Sequence, residues 1–215
     1  MKLKSLTLLF LLIPLSLWAG NPQELARMNV GIMGSGVTAA VSCPGSESLL
    51  FDQFSTDGFS GCCNVVTKEY RGQASFAPAT DLGGSKTICS VSFDFRQIYG
   101  DITGINFQIE IYEMSGNNLG NAPTGTCIST PRGISGSYPI GEVKFEGLNC
   151  SLVGGTTYGI AIIRSDHGYD GTNYPEFFRY ASDSFTGYMA AWNAATMVRT
   201  DDDVGLDVSL RMYGY

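Results

Sequence analysis

The stretch Ile105-Asn-Phe-Gln-Ile-Glu-Ile111 alternates apolar and polar side chains without a fault. Successive side chains of a β-strand point to opposite faces, so this pattern is typical of a strand with one buried and one solvated face. The same alternation recurs in Cys89-Ser-Val-Ser-Phe-Asp-Phe95 and in Leu206-Asp-Val-Ser-Leu-Arg-Met212. Strands of this kind belong to antiparallel sheets, and the three stretches together indicate an all-β fold.

Glycine-rich turns separate these stretches from weaker strand-like runs. Of the 215 residues 27 are glycine and only 15% are charged, whereas average proteins have about 7% glycine and about 25% charged residues. Helical periodicity is confined to a weak run over residues 188–197. Roughly eight to ten strands over residues 48–215 predict a two-layer antiparallel β-sandwich. Its inner faces should carry Val91, Phe93, Phe95, Ile105, Phe107, Ile109, Ile111, Val208, Leu210 and Met212, with Asn106, Gln108 and Glu110 outside.

The chain divides into three segments on this interpretation. Lys2 and Lys4, the apolar run 6–17 and the small residues Ala19 and Gly20 predict a signal peptide over residues 1–20. Residues 21–47 are rich in glycine and serine, and we expect them to be loosely ordered. Residues 48–215 form a single domain. The protein is then secreted, extracellular or periplasmic, with no membrane insertion after signal cleavage.

The cysteines support the same compartment. All six lie beyond the predicted leader, and an even number in an exported chain predicts three disulfides. A zinc site would need closely spaced pairs such as C-x-x-C, which the sequence does not contain. We favour a bridge between Cys127 and Cys150, with the others pairing within the N-terminal half. The full set is Cys43, Cys62, Cys63, Cys89, Cys127 and Cys150.

The charge balance disfavours nucleic acid as a partner. Without Lys2 and Lys4, the 13 lysines and arginines fall to 11 against 20 aspartates and glutamates, a net charge of about −9. The basic residues are scattered singly, whereas binding to phosphates needs a basic patch.

Several motifs follow one another in an order that resembles a known group. These are Gln73-Ala-Ser-Phe76, the Cys89 stretch, Ile109-Glu-Ile-Tyr112, Gly120-Asn-Ala-Pro-Thr-Gly125, Leu152-Val-Gly-Gly-Thr-Thr-Tyr158 and Asp207-Val-Ser-Leu-Arg-Met-Tyr213. Over roughly residues 70–215 the chain is similar to the choice-of-anchor domains of bacterial secreted and surface proteins. The resemblance implies a jelly-roll-like β-sandwich and carries no catalytic residues. The missing C-terminal anchor and the six cysteines depart from that pattern and favour release of the protein.

Candidate catalytic groups are few. His167 is the only histidine, and Gly133-Ile-Ser-Gly-Ser137 lacks the last glycine of a G-x-S-x-G nucleophile elbow. Glu110 with Glu113, and Glu142 with Glu146, fall on or beside outward strand faces, where charged side chains are ordinarily solvated. We therefore expect no enzymatic activity, and an exported hydrolase is the third-ranked alternative.

Acidic residues near the first and last strands raise the question of a metal. The first and last strands of jelly rolls are often neighbours, so these side chains would meet around a structural calcium, which takes six to eight oxygen ligands. A solvated acidic turn is the alternative. The candidate ligands are Asp52, Asp57, Asp201, Asp202 and Asp203.

The segment Ser165-Asp-His-Gly-Tyr-Asp-Gly-Thr-Asn-Tyr-Pro-Glu176 is the most ligand-like part of the chain. It is a polar loop after a core strand, and loops on a rigid scaffold concentrate binding residues. Aromatic rings beside carboxylate and amide groups suit a sugar, although the same rings could instead pack as a loop core. The predicted ligand-binding residues are Tyr169, Asp170, Asn173, Tyr174 and Trp192.

Two function classes follow. The first is a secreted, non-catalytic binding module for carbohydrate or for a polysaccharide or other polymer of the cell surface, envelope or matrix. The second is a structural, self-assembling extracellular protein, whose sandwich packs against copies of itself.

Overall fold

Two antiparallel sheets that pack face to face make up the fold, which is 55% strand and 3% helix. The computed structural model describes Cys43 and residues 46–54, 69–124, 127–166, 172–180, 187–203 and 206–215, all within the compact unit Gly36–Tyr215. The predicted all-β sandwich is confirmed. In chain order the elements are β1 (Ser48–Asp52), β2 (Glu69–Phe76), α1 (Pro78–Asp81), β3 (Lys86–Tyr99), β4 (Asn106–Ser115), β5 (Asn118–Leu119), β6 (Arg132–Gly133), β7 (Gly141–Phe145), β8 (Cys150–Leu152), β9 (Tyr158–Arg164), β10 (Tyr174–Phe177), β11 (Arg179–Tyr180), β12 (Tyr188–Asn193), β13 (Arg199–Asp203), β14 (Asp207–Val208) and β15 (Leu210–Gly214).

The first sheet is organised around the 14-residue strand β3. One edge of β3 pairs with β15 and then with β10, and its other edge pairs with β8 and β7. Val91, for example, lies between Met212 of β15 and Phe145 of β7. Strand β1 completes this sheet by pairing with β15. Both edges of β3 are therefore hydrogen-bonded over most of its length, which makes it a rigid support for the residues at its end.

The second sheet has the strand order β13-β12-β2-β9-β4, and the far edge of β4 pairs with β5 and β6. Residues 106–111 of the alternating stretch lie in β4, which pairs with β9 from Phe107 opposite Arg164 onwards. Strands β11 and β14 pair with each other and form a separate, two-stranded antiparallel sheet.

The core between the sheets contains the predicted residues. Nine of the ten are buried, and Ile105 is partly buried and packs against them. Phe177 of β10 contacts Phe93 and Phe95 edge-to-face, with ring centroids 5.4 and 6.4 Å apart. Full burial of a side chain of this size contributes about 1.5–3 kcal/mol. The predicted inward register of β3, β4 and β15 is confirmed.

The outward face of β4 departs from the prediction. Asn106 is exposed as expected, but Gln108 and Glu110 are buried. A second apolar cluster, which includes Tyr70, Tyr112, Ile163 and Trp192, lies on this outer face. Glu110 is satisfied there by hydrogen bonds from Gln108 Nε2, at 2.5 Å, and from the Tyr112 hydroxyl. The expectation that Glu110 is solvated is wrong, because both faces of this sheet are covered.

Residues 188–203 also differ from the sequence interpretation. The weak helical run is strand β12, in which Met189 joins the central core while Ala190 and Trp192 join the second cluster. Apolar residues on both faces of a strand obscure the period-two signal. Asp201, Asp202 and Asp203 belong to the edge strand β13, which pairs with β12, instead of forming a turn.

Two disulfides hold the fold. Cys127–Cys150 is present as predicted, and it joins the segment beside β4 to β8 in the opposite sheet. Cys43–Cys89 ties the chain ahead of β1 to β3; Cys62 and Cys63 lie outside the described residues. Disulfides persist in oxidising compartments, with which this pair is compatible. In the described part of the chain, no helix has the length and apolar character needed to cross a membrane.

Candidate functional site

A groove of about 590 Å³ lies where β3 leads into β4. The connection between these strands forms one wall, and the segment that follows β6 forms the other. The volume falls in the range of about 300–1,000 Å³ that is usual for small-ligand sites. The described lining residues are Ile98, Gly100, Asp101, Ile102, Thr103, Gly104, Ile105, Asn106, Gly133, Ile134, Ser135 and Gly136.

Local sequence chemistry fixes the wall over residues 100–104. Gly100 has φ +65°, and a Cβ on it would lie 2.0 Å from Asn173 Oδ1, so only glycine fits. Asp101 Oδ1 accepts a hydrogen bond from the Thr103 backbone N–H at 2.8 Å, which closes an Asx turn. Ile102 is buried and anchors this loop to the core. The conformation of this wall is therefore fixed by the residues of the turn itself.

The groove lining combines buried isoleucines with exposed polar side chains. Ile102 and Ile134 are buried in its lining. Hydrogen bonds from Thr103 lower the pKa of Asp101, so this exposed carboxylate is ionised at neutral pH. The exposed side chains at the mouth supply a carboxylate, an amide and two hydroxyls, from Asp101, Asn106, Thr103 and Ser135.

An aromatic pair flanks this groove in the chain, directly before Gly100 and directly after Asn173, and its rings lie outside the groove lining. Tyr99 of β3 and Tyr174 of β10 are direct cross-strand partners, with ring centroids 5.0 Å apart and planes 38° apart. The Tyr99 side chain is 39% exposed, and Tyr174 backs it. Asn173 binds the pair to the groove wall, because its Oδ1 accepts the Asp101 backbone N–H at 2.7 Å. Tyr99, Asn173 and Tyr174 are therefore adjacent to the groove, and we call these residues and the groove together the end site.

The end site contains part of the predicted constellation. The structure brings Asn173 and Tyr174 to the groove, whereas Tyr169 and Asp170 lie outside the described residues. Trp192 is elsewhere: its side chain is fully buried in the second cluster, and its Nε1–H donates to the Asn117 carbonyl at 3.1 Å. Its ring is not available to a ligand, so the prediction for Trp192 is wrong.

Tyr99 is the residue that sequence reasoning missed. It directly precedes the Gly100-Asp101 turn, which marks the end of a strand, and that position was the available signal. Its partnership with Tyr174 depends on the pairing of β3 with β10, 75 positions apart, and on a register shift between Glu176 and Phe177. Neither can be deduced from local patterning.

The calcium hypothesis gains no support from the described aspartate. Asp52 Oδ1 accepts hydrogen bonds from Arg211 Nε, at 2.8 Å, and from the Phe54 backbone N–H, at 3.1 Å, and the Arg211 hydrogen bond lowers its pKa. Asp57 and the side chains of 201–203 lie outside the described residues. Within the described residues no three acidic, cysteine or histidine side chains are grouped as a metal site would require.

The outer face of the first sheet is a second polar surface, but its charges are paired with one another. Arg211 binds both Asp52 and Glu142, at 2.8 and 2.7 Å, and Lys144 pairs with Glu47. The same cations cover aromatic rings: Arg211 lies 4.0 Å from the Phe54 ring centroid, and Lys144 lies 4.3 Å from that of Tyr213. A cation therefore covers one face of each of these two rings.

Asp94 and Glu142 are the nearest approach to a catalytic carboxylate pair on that face, since they are direct cross-strand neighbours. Burial raises the pKa of Asp94 to about 6. Burial also acts to raise the pKa of Glu142, but the hydrogen bonds from Tyr213 and Arg211 act against it, and that pKa is lowered. Both Glu142 oxygens are engaged, one by Tyr213 and one by Arg211. Glu142 is therefore part of the hydrogen-bonded surface network of this sheet.

No protein-family model matches this chain, and no curated protein matches it in sequence. The remaining catalytic candidate, His167, lies outside the described residues. The described lining of the end site includes Ser135 but no histidine to activate it. The end site as described is suited to hold a ligand through stacking and hydrogen bonds.

Proposed function

We propose that this protein is an exported, non-catalytic binding module whose end site takes a carbohydrate of a cell-envelope or matrix polymer. The observation that carries the proposal is the half-exposed Tyr99 ring, backed by Tyr174, beside a groove edged by carboxylate, amide and hydroxyl groups. A sugar ring offers C–H faces that stack on an aromatic ring and hydroxyls that hydrogen-bond to such groups.

The residues of the end site are held in fixed positions, which supports a role in ligand binding. Both tyrosines belong to strands of the first sheet, and Asn173 is packed against Gly100 and hydrogen-bonded to Asp101. A site that is rigid before the ligand arrives loses less conformational entropy on binding.

Export is the second part of the proposal. It rests on the leader pattern of residues 1–20, together with disulfides that require an oxidising compartment to form. An extracellular polymer is the ligand class that such a protein would meet.

Self-assembly is the alternative, and one observation favours it. Strand β1 pairs only with β15 among the described strands, and its Leu49 side chain is 49% exposed. An edge strand of this kind can pair with a second chain. A concentration-dependent shift of elution volume in size-exclusion chromatography, abolished by Leu49→Lys, would support assembly in place of polymer binding.

A polysaccharide pull-down with matched variants tests the binding proposal. Ring stacking contributes about 0.5–1.5 kcal/mol per pair, so Tyr99→Ala should weaken polymer binding roughly two- to tenfold. Tyr215→Ala is the matched control, because Tyr215 is 49% exposed and hydrogen-bonds to Thr87 at the other end of β3, roughly 40 Å from Tyr99.

The same protein samples are melted to separate binding from folding. We expect the two variants to melt at nearly the same temperature, with only Tyr99→Ala defective in binding. Equal binding by both variants, at equal folded fraction, would remove the end site as the binding surface.

A further inference from the structure

The end site carries negative charge without a matching cation. Asp101 is the only charged side chain among the described residues that line the groove, and it is exposed at the mouth. The whole chain is negatively charged as well, with a net charge of −7.

Two arginines close in sequence to the groove lining have partners elsewhere. Arg96 forms an ion pair with Glu176 at 3.0 Å. Arg132, next to the lining residue Gly133, donates from Nη1 to the Lys144 carbonyl of β7.

The arginine of β9 is held in the same manner. Arg164 lies opposite Phe107, at the start of β4, and its Nη2 and Nε bind the two carboxylate oxygens of Asp166 at 2.7 and 3.1 Å. Each of these three guanidinium groups therefore already has a partner that lies outside the groove lining.

From this charge distribution, and resting on the proposed carbohydrate site, we infer that the end site selects neutral or amine-bearing saccharides and rejects acidic ones. A uronate or sulfate group in the groove would lose water without gaining a cation, and it would lie near the ionised Asp101 carboxylate. Like charges placed together at an interface are a strong source of rejection. A protonated amine would instead form a charge-assisted hydrogen bond with Asp101.

The test uses the full mature chain on an array of neutral, amine-bearing, uronic-acid and sulfated oligosaccharides in 0.15 M salt. Titration calorimetry then measures chitin, chitosan and galacturonate hexasaccharides as neutral, cationic and anionic probes. We expect the acidic probes to bind about tenfold more weakly than the neutral ones, or more weakly still. Acidic probes that bind as tightly as neutral ones would overturn the inference and leave the proposed function intact. A lack of binding by every class would overturn both.

The variant Asp101→Asn isolates the charge, since its amide oxygen can still accept the Thr103 N–H that shapes the turn. We expect it to lower the ratio of chitosan to chitin affinity by roughly three- to tenfold, and by less at high salt. Glu146→Gln is the matched control, because it removes one exposed carboxylate from the connection after β7 and should leave that ratio unchanged. An unchanged ratio in Asp101→Asn would show that Asp101 does not set the selectivity.

Discussion

Replacing Asp94 with asparagine should stabilise this protein at neutral pH. Asp94 is half-buried on the outer face of β3, directly opposite Glu142 on β7. Its side chain makes no hydrogen bond to another described residue, although Arg211 attracts its charge. Like charges directly opposite in a sheet are destabilising. Burial first, and then the charge of Glu142, raise the pKa of Asp94 from 3.8 to about 6.

The sign of the pH effect follows from this raised pKa. Below about pH 4 the carboxyl is protonated in both the folded and the unfolded chain, so it costs nothing. Between about pH 4 and pH 6 the folded chain binds the proton more tightly, and stability therefore falls as the pH rises. Above about pH 6 the full penalty is present.

The size of the penalty follows from the difference of about two between the folded and unfolded pKa values. Each pKa unit corresponds to about 1.4 kcal/mol, which gives roughly 3 kcal/mol before screening. Because the side chain is partly in water, we expect about 1–1.5 kcal/mol. Asp94→Asn should raise the free energy of unfolding by that amount at pH 7.5 and by nearly nothing at pH 4.

Urea unfolding of the wild type and the variant, from pH 4 to pH 8, measures this difference. Glu142→Gln is the control, because it removes the same charge but should lower the free energy of unfolding. This variant weakens the contacts of Glu142 with Arg211 and Tyr213. The reasoning is refuted if Asp94→Asn destabilises the fold at pH 7.5, or if its effect does not vary with pH.

Two further predictions concern the core and the disulfides. Phe107 is fully buried between the sheets. Phe107→Ala should therefore lower the free energy of unfolding, measured in urea, by about 3–5 kcal/mol. A loss below about 1 kcal/mol would contradict the assigned core. Cys127 and Cys150 are both buried, whereas Cys43 is partly exposed. Mild reductant under native conditions should therefore open Cys43–Cys89 first, which peptide mapping after alkylation would detect. Earlier opening of Cys127–Cys150 would contradict the described packing.

The strands and the central core could be predicted from the sequence because one physical rule determines both. In β4 the residues Phe107, Ile109 and Ile111 recur every second position, and a strand places such residues on one face. The bridge between Cys127 and Cys150 was also predictable, since both flank short strands within one region. These features depend on local patterning alone.

The outer face of the second sheet was not predictable in this way. Glu110 and Trp192 are polar or amphipathic residues on the face opposite the central core, and this position normally indicates exposure. Their burial depends on a second cluster assembled from strands far apart in sequence, including Tyr70 and Tyr112. Burial also raises the pKa of Tyr112, which therefore stays a hydrogen-bond donor to Glu110.

The end site was predictable in part. The polar loop suggested Asn173 and Tyr174, because loops with tyrosine and amide groups are common binding surfaces. The groove itself needs Gly100 to meet Asn173 and Tyr99 to meet Tyr174. Such contacts arise from strand register, which the local sequence does not determine.

The most direct test of the end site is a ¹H–¹⁵N correlation titration of the mature protein with an oligosaccharide that the array identifies. We expect the shifted amides to cluster at residues 98–106, 133–136 and 172–174, with little change at Tyr215 or around Arg211. Shifts centred on Arg211, Glu142 and Tyr213 would place the ligand on the outer face of the first sheet, and would contradict the assignment of binding to the end site.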